Sequence, residues 1–191
     1  SKDGLTYSIT LRKGVMLHNG RELNAEDAVA SLNRWMEVSP RGKAVGKEVA
    51  SLTVKGAYGL ELKLKTLYAP LLAQLALPSG MAVIMAKESI APQLKDFIGT
   101  DPYKFKKRKP DQYTVLVRHD AYSARKEAPS GYAGRREALL DELRFIPVPN
   151  ANTRVEGALS GQFQYADLLP VDAIGRVEKA GAAVVPIVTK N

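Results

Sequence analysis

The 191-residue chain has no cysteine and only two histidines, His18 and His119. Without thiols it can form no disulfide, no zinc–thiolate site and no cysteine nucleophile. The two histidines lie far apart in sequence, and neither H-x-x-x-H nor H-E-x-x-H spacing occurs. They fall short of the three or four converging ligands that a metal site needs. Each is therefore expected to be structural, His18 beside a turn and His119 at a strand end. No stretch is apolar enough to span a membrane: Ala69 to Met85 is broken by Gln74, Pro78, Ser79 and Gly80, well short of roughly 18 uninterrupted residues. The opening SKDGLTYSITLRKG holds no apolar signal-peptide core. A mature or trimmed chain reads the same way, and lack of cysteine suits cytosol and periplasm alike.

Catalytic signatures are missing too. There is no G-x-G-x-x-G. The stretch GKAVGK, from Gly42, has one residue too few between its glycines for a P-loop, and Glu48 stands where a magnesium-binding hydroxyl belongs. GALSG, from Gly157, puts Ser160 one residue late for a nucleophile elbow and inside an expected helix. Neighbouring carboxylates such as Asp141 and Glu142 read as ordinary edge charges. Nothing here points to covalent chemistry.

What is present is an ordinary globular mix, 45% hydrophobic and 25% charged, long enough for a real core. The net charge of +8 permits anionic partners without establishing one. The best nucleic-acid candidate is Tyr103 to Lys109, YKFKKRK, where basic residues interleave with two aromatics. Period-2 alternation favours a hairpin instead, with Tyr103 and Phe105 facing the core.

Local patterning gives an element order. Thr6 to Arg12 alternates as a half-buried strand, and Val15 to Leu17 reads as a second. Asn19-Gly20 is a tight turn. Asn24 and Asp27 mark a helix start, with Glu26 suiting its positive end. Ala28, Val29, Leu32, Trp35 and Met36 form one apolar stripe, and Pro40 and Gly42 are expected to end that helix. Strands follow at 52–54 and 60–64, a helix at 70–77, a buried strand at 81–85 and a helical segment at 88–97. A hairpin opens near Ile98, and a glycine-rich loop covers 121–136. The remainder reads as strand 143–148, a helix capped by Asn150 or Asn152, strand 163–169, helix 171–180 and strand 183–188.

One long pattern resembles a known family. DGLTYSITLRKGVMLHNGRELNAEDAVASLNRW, Asp3 to Trp35, is similar to the solute-binding proteins of peptide- and nickel-type ABC importers, the extracellular solute-binding family 5. The carrying features are an aromatic strand, Leu-Arg-x-Gly, a His-Asn-Gly turn and a capped helix opening Ala-Glu-Asp. IGTDPYKFKKRKPDQYTVLVRHDAY resembles the family's Gly-Thr-Gly-Pro-Tyr hairpin, except that Asp101 replaces the second glycine, so an altered or strained turn is expected there. LDELRFIPVPNANTRVEGALSGQFQYADLLP resembles its strand–helix–strand, with Gln164 where an acidic residue is common.

The resemblance implies an α+β fold of the type II periplasmic-binding kind: one incomplete lobe, with mixed sheets flanked by helices. Residues 1–97 would form the family's extra subdomain and 98–191 part of the α/β core, the second lobe being absent. The implied role is non-catalytic capture of an extracytoplasmic solute, most simply a short peptide, for an ABC permease, with no cofactor. Nickel chelates, sugars or other small solutes are also open. The protein would be periplasmic, or lipid-anchored in a Gram-positive organism, meeting the membrane only through its transporter. Ligand contacts carried over from the family are Arg41, then Ser79, Gly80 and Met81, then Asp167 and Leu168. Arg41 would pair a carboxylate and Asp167 an amine. The alternative is a basic nucleic-acid module built on the Tyr103–Lys109 hairpin.

Overall fold

A computed structural model describes residues 1–131 and 133–181. Contacts divide the chain into two units. One comprises Ser1–Lys107 and Val115–Arg144; the other comprises Arg108–Thr114 and the described residues from Phe145.

In the first unit, β1 (Thr6–Thr10), β2 (Val49–Val54) and β3 (Gly59–Leu64) form an antiparallel sheet ordered β1-β3-β2. Alternation decides which face of β3 is buried: Leu60, Leu62 and Leu64 turn inward. They meet α1 (Ala25–Val38). This helix starts where the sequence says it should. Asn24 Oδ1 accepts the N–H groups of Glu26 and Asp27, while Asp27 Oδ2 accepts the Asn24 N–H at 3.0 Å. That reciprocal capping box satisfies donors that would otherwise lack partners. Trp35 packs with Val45, Leu62, Leu64 and Leu71, and Ala28 and Leu32 pack on Leu60. Each large side chain buried this way contributes about 1.5–3 kcal/mol.

Several expectations need correction. The first helix does stop at Val38, ahead of Pro40, but Pro40 also opens a second helix, α2 (Pro40–Glu48), which carries Gly42 inside it. The chain breaks at Ser39, whose backbone is extended, and proline's fixed φ then suits the first helical turn. Gly42 makes the junction possible. A Cβ there would lie 2.0 Å from the Trp35 carbonyl oxygen, so α2 can sit this close to the end of α1 only without a side chain. Residues 15–17 form no full strand, only a bridge between Met16 and Glu22.

Residues 81–85 are likewise not a strand. Their backbone is held by a side chain: Ser31 Oγ accepts the Met85 N–H and donates to the Met85 carbonyl. Beyond α3 (Leu71–Ala76), the 88–97 helix is reduced to a 3-10 turn at Lys87–Ser89. Pro92 disfavours helical backbone at Ala91 before it.

A second sheet has the order β4-β5-β6, from β4 (Tyr103–Lys109), β5 (Tyr113–Arg118) and β6 (Glu142–Phe145). Val115 is fully buried, but Phe105 is 36% exposed and leans on the exposed Phe97 with ring centroids 5.2 Å apart. The core-facing expectation therefore fails at Phe105. Tyr103 is half-buried, and its hydroxyl accepts the Leu140 N–H.

In the second unit, Asn150 caps α4 (Ala151–Leu159) by accepting the Thr153 N–H. The expected helix at 171–180 divides into a 3-10 turn, Val171–Ala173, and α5 (Ile174–Lys179). Residues 163–169 form no strand. The Phe163 N–H folds back onto the Gly157 carbonyl, and Leu168 adopts φ +53°, which breaks any pleat. The strand expected at 183–188 lies outside the described residues.

Candidate functional site

Three of the six expected ligand residues are tied together in the first unit. Arg41 enters the first turn of α2, and its Nη1 donates to the carbonyl of Ser79. The Trp35 indole N–H donates to the Gly80 carbonyl at 2.7 Å. Gly80 has φ +61°, a conformation that glycine enters without steric cost. Ser39 Oγ, buried and without a hydrogen-bond partner, lies 3.5 Å from where a Gly80 Cβ would be. A buried core tryptophan on one side and a cation on the other thus hold the turn after α3. Ser79, Gly80 and the next residue, Met81, remain exposed.

Chemically this is a fixed, exposed backbone turn beside a guanidinium. Arg41 uses one donor on the turn and has further donors in its planar fork for a carboxylate or carbonyl oxygen. Such a surface can recognise a peptide-like solute but carries no nucleophile or acid–base pair. A shallow groove of about 600 Å³ along α1, α2 and β2 is lined by residues such as Met36, Lys43 and Leu52, and includes none of the six.

Asp167 and Leu168 belong to the second unit, where they share one turn. Asp167 Oδ1 accepts the Leu168 N–H at 2.8 Å. Leu168 is 80% exposed despite being a large apolar residue. Its carbonyl accepts from Arg154 Nη2 at 2.9 Å. Arg154 was not among the sequence candidates. Its position in the Asn-Thr-Arg run was visible, but nothing in the sequence says which carbonyls it reaches.

Sequence spacing also concealed two structural clusters in the first unit. His18 and His119 meet edge to face, ring centroids 5.0 Å apart. Both reach the Asp101 carbonyl, His18 Nε2 at 3.0 Å and His119 Nδ1 at 3.4 Å. A carbonyl only accepts, so these nitrogens carry the protons. The Gly99 N–H donates to His18 Nδ1 at 3.2 Å. Burial holds the His119 pKa below its ordinary value, and the nearby Lys104 charge acts in the same direction. Asp101 does not adopt the left-handed backbone: among the described non-glycine residues only Asp111 and Leu168 have positive φ. Its carboxylate instead pairs with Arg136 at 2.9 Å.

The second cluster surrounds Asp27, whose side chain is fully buried. Arg21 bridges Asp27 and Glu88, and the Lys87 N–H donates to Asp27 Oδ1. Burial pushes the Asp27 pKa up, yet Arg21 and the backbone donors outweigh it and hold the group below its ordinary range. Glu26 pairs with Lys87. Among the described residues, no three histidine or carboxylate side chains gather as a metal site would require. No helix among them is long and apolar enough to cross a membrane.

Comparison with known proteins gives these features a context. All 191 residues match the bacterial extracellular solute-binding proteins, family 5 middle region. A probable peptide ABC transporter periplasmic-binding protein of Sinorhizobium fredii, y4tO, is 28% identical over 185 residues, covering 93% of this chain and 35% of its own length. The oligopeptide-binding protein AppA of Bacillus subtilis, solved with a nonapeptide, superposes with TM-score 0.72 at 26% identity, over 92% of this chain and 34% of that one. NikA of Brucella suis, solved with Fe(III)-EDTA, superposes with TM-score 0.79 at 24% identity, over 95% and 36%. The chain thus spans about a third of the length of the relatives it matches. The fold is of the type II periplasmic-binding kind, and the chain belongs to the bacterial extracellular solute-binding proteins of family 5.

Proposed function

We propose that this chain supplies one wall of an extracytoplasmic solute cleft whose cargo is handed to an ABC permease. The match of residues 1–191 to the family carries this reading. The cargo is a short peptide, in line with the peptide named for y4tO and the nonapeptide held by AppA. The metal chelate held by NikA keeps chelates as the second cargo class. Capture is non-covalent. The rest of the protein closes over the solute, a population shift driven by contacts made only in the closed state.

On this reading residues 1–97 form the family's extra subdomain and 98–191 part of its core. Arg41 takes a solute carboxylate, Ser79, Gly80 and Met81 offer the backbone turn, and Asp167 with Leu168 forms a further part of the wall. The protein works in the periplasm, or on a lipid anchor in a Gram-positive host. The nucleic-acid alternative gains nothing: Lys106 pairs with Glu142 and Phe105 leans on Phe97.

The test is calorimetric titration of short peptides into the 191-residue chain. One wall encloses little of a ligand, whereas good sites bury most of it. Binding is therefore expected to be weaker than micromolar. Micromolar or tighter binding would contradict the one-wall reading.

A further inference from the structure

Arg154 serves three backbone carbonyls at once. Its Nη1 donates to Val148 at 2.7 Å and to Pro149 at 3.1 Å, and its Nη2 donates to Leu168 at 2.9 Å. The third guanidinium nitrogen, Nε, is buried without a partner. The side chain points back past the start of α4 and ties the segment entering the helix to a turn 14 residues further on.

That turn needs a tie. Leu168 sits at φ +53°, where an L-residue's Cβ is crowded by its own backbone. It is also 80% exposed, so no burial of its side chain offsets the strain. Two contacts hold its peptide group: Asp167 Oδ1 on its N–H and Arg154 on its carbonyl. The first is local and travels with the turn. The second anchors the turn to another part of the unit. Strained backbone persists only where its surroundings over-determine it, and such positions concentrate at ligand sites.

We infer that Arg154 is a positioning residue that holds Leu168 in the left-handed conformation and so fixes how Asp167 and Leu168 are displayed. This deepens the solute-wall reading, on which that display is presented to the cargo. Arginine suits the task because its planar fork serves several acceptors in fixed directions, whereas a lysine ammonium is a point charge on a flexible stem.

Nuclear magnetic resonance of the isotope-labelled chain tests this. In Arg154→Lys and Arg154→Met, the backbone shifts of Leu168 should leave left-handed values while the amides of Val155 and Gly157 keep their exchange protection. Unchanged Leu168 shifts with α4 intact overturn the inference. The unmodified chain gives a second readout that requires no variant to fold. The Arg154 Nη protons should exchange with water more slowly than those of the exposed Arg108, and equally fast exchange also overturns it. Adding trialanine to the unmodified chain probes the solute reading separately. If no shift occurs at Asp167 or Leu168, that reading loses support while the Arg154 result stands.

Discussion

Both terminal nitrogens of Arg21 grip the carboxylate of Asp27, Nη1 to Oδ2 at 2.9 Å and Nη2 to Oδ1 at 2.6 Å. Asp27 is fully buried and also accepts the N–H groups of Asn24 and Lys87. One carboxylate therefore caps α1, neutralises a guanidinium and pins the 3-10 turn after the 81–86 segment. Removing it leaves two backbone donors without their partner and Arg21 with Glu88 as its remaining carboxylate. Asp27→Ala should cost about 1–3 kcal/mol, read as a fall in the denaturant midpoint. A loss below about 1 kcal/mol would show that the grip is incidental.

The same group makes an acid limb. Its folded pKa lies below the ordinary 3.8, so its stabilisation is complete above that value and is lost as pH falls through the lower, folded value. Thermal melts of the native chain and Asp27→Asn should therefore converge as pH drops below about 4. A constant gap down to pH 2 would contradict the linkage.

His119 should give a separate limb at higher pH. Burial, then the Lys104 charge, lowers its pKa below 6.5, while the Asp101 carbonyl and Asp120 work the other way. Neutral His119 therefore contributes stability that is complete above 6.5 and is lost as pH falls through the folded value. The melting temperature should therefore drop as pH falls below 6.5. His119→Phe, which keeps a ring against His18, should flatten that drop. An identical slope in the variant would place the titrating group elsewhere.

Gly42→Ala pits two effects against each other. Helix propensity favours alanine by about 1 kcal/mol. The added Cβ, however, would lie 2.0 Å from the Trp35 carbonyl oxygen and 2.9 Å from the Met36 nitrogen. Backbone cannot yield as a flexible side chain does, so the clash should win, with a net loss of about 1–3 kcal/mol. Urea titration decides the sign, and a stabilised variant would mean that α2 can move freely off α1.

The site cluster should separate stability from display. Trp35→Phe keeps an aromatic ring in the core but removes the donor to Gly80, at a cost of about 1 kcal/mol or somewhat more. Arg41→Ala should change stability by less than about 0.5 kcal/mol, because its tie is at the surface. Both should alter the amide shifts of Ser79 and Gly80. An undisturbed turn in both variants would mean that neither side chain fixes it.

Short-range signals are legible in the sequence. Asn24, Glu26 and Asp27 announced the start of α1 because capping involves residues two or three apart. Leu60, Leu62 and Leu64 announced the buried face of β3 because strand periodicity is local. Errors arose where a distant partner decides the outcome. Residues 81–85 are a continuous apolar run, yet Ser31 takes the place of a neighbouring strand. Phe163 to Leu169 also looks like a strand, but Leu168 turns left-handed where Arg154 meets it. Pro40 was ambiguous because proline either follows a helix or opens one, and only the missing Cβ of Gly42 reveals the second. Of the expected ligand residues, the tie from Arg41 to Ser79 crosses 38 positions, and only the family resemblance placed those two in one site.

On the proposed function, Arg41, the turn Ser79–Met81 and the turn Asp167–Leu168 each contact the solute. Mapping amide shifts of the labelled chain during titration with trialanine to millimolar concentration tests it most directly. Weak, unsaturated shifts are expected, concentrated at Arg41, Ser79, Gly80, Met81, Asp167 and Leu168. Shifts absent from these six residues, or confined to the basic hairpin at 103–109, would contradict it.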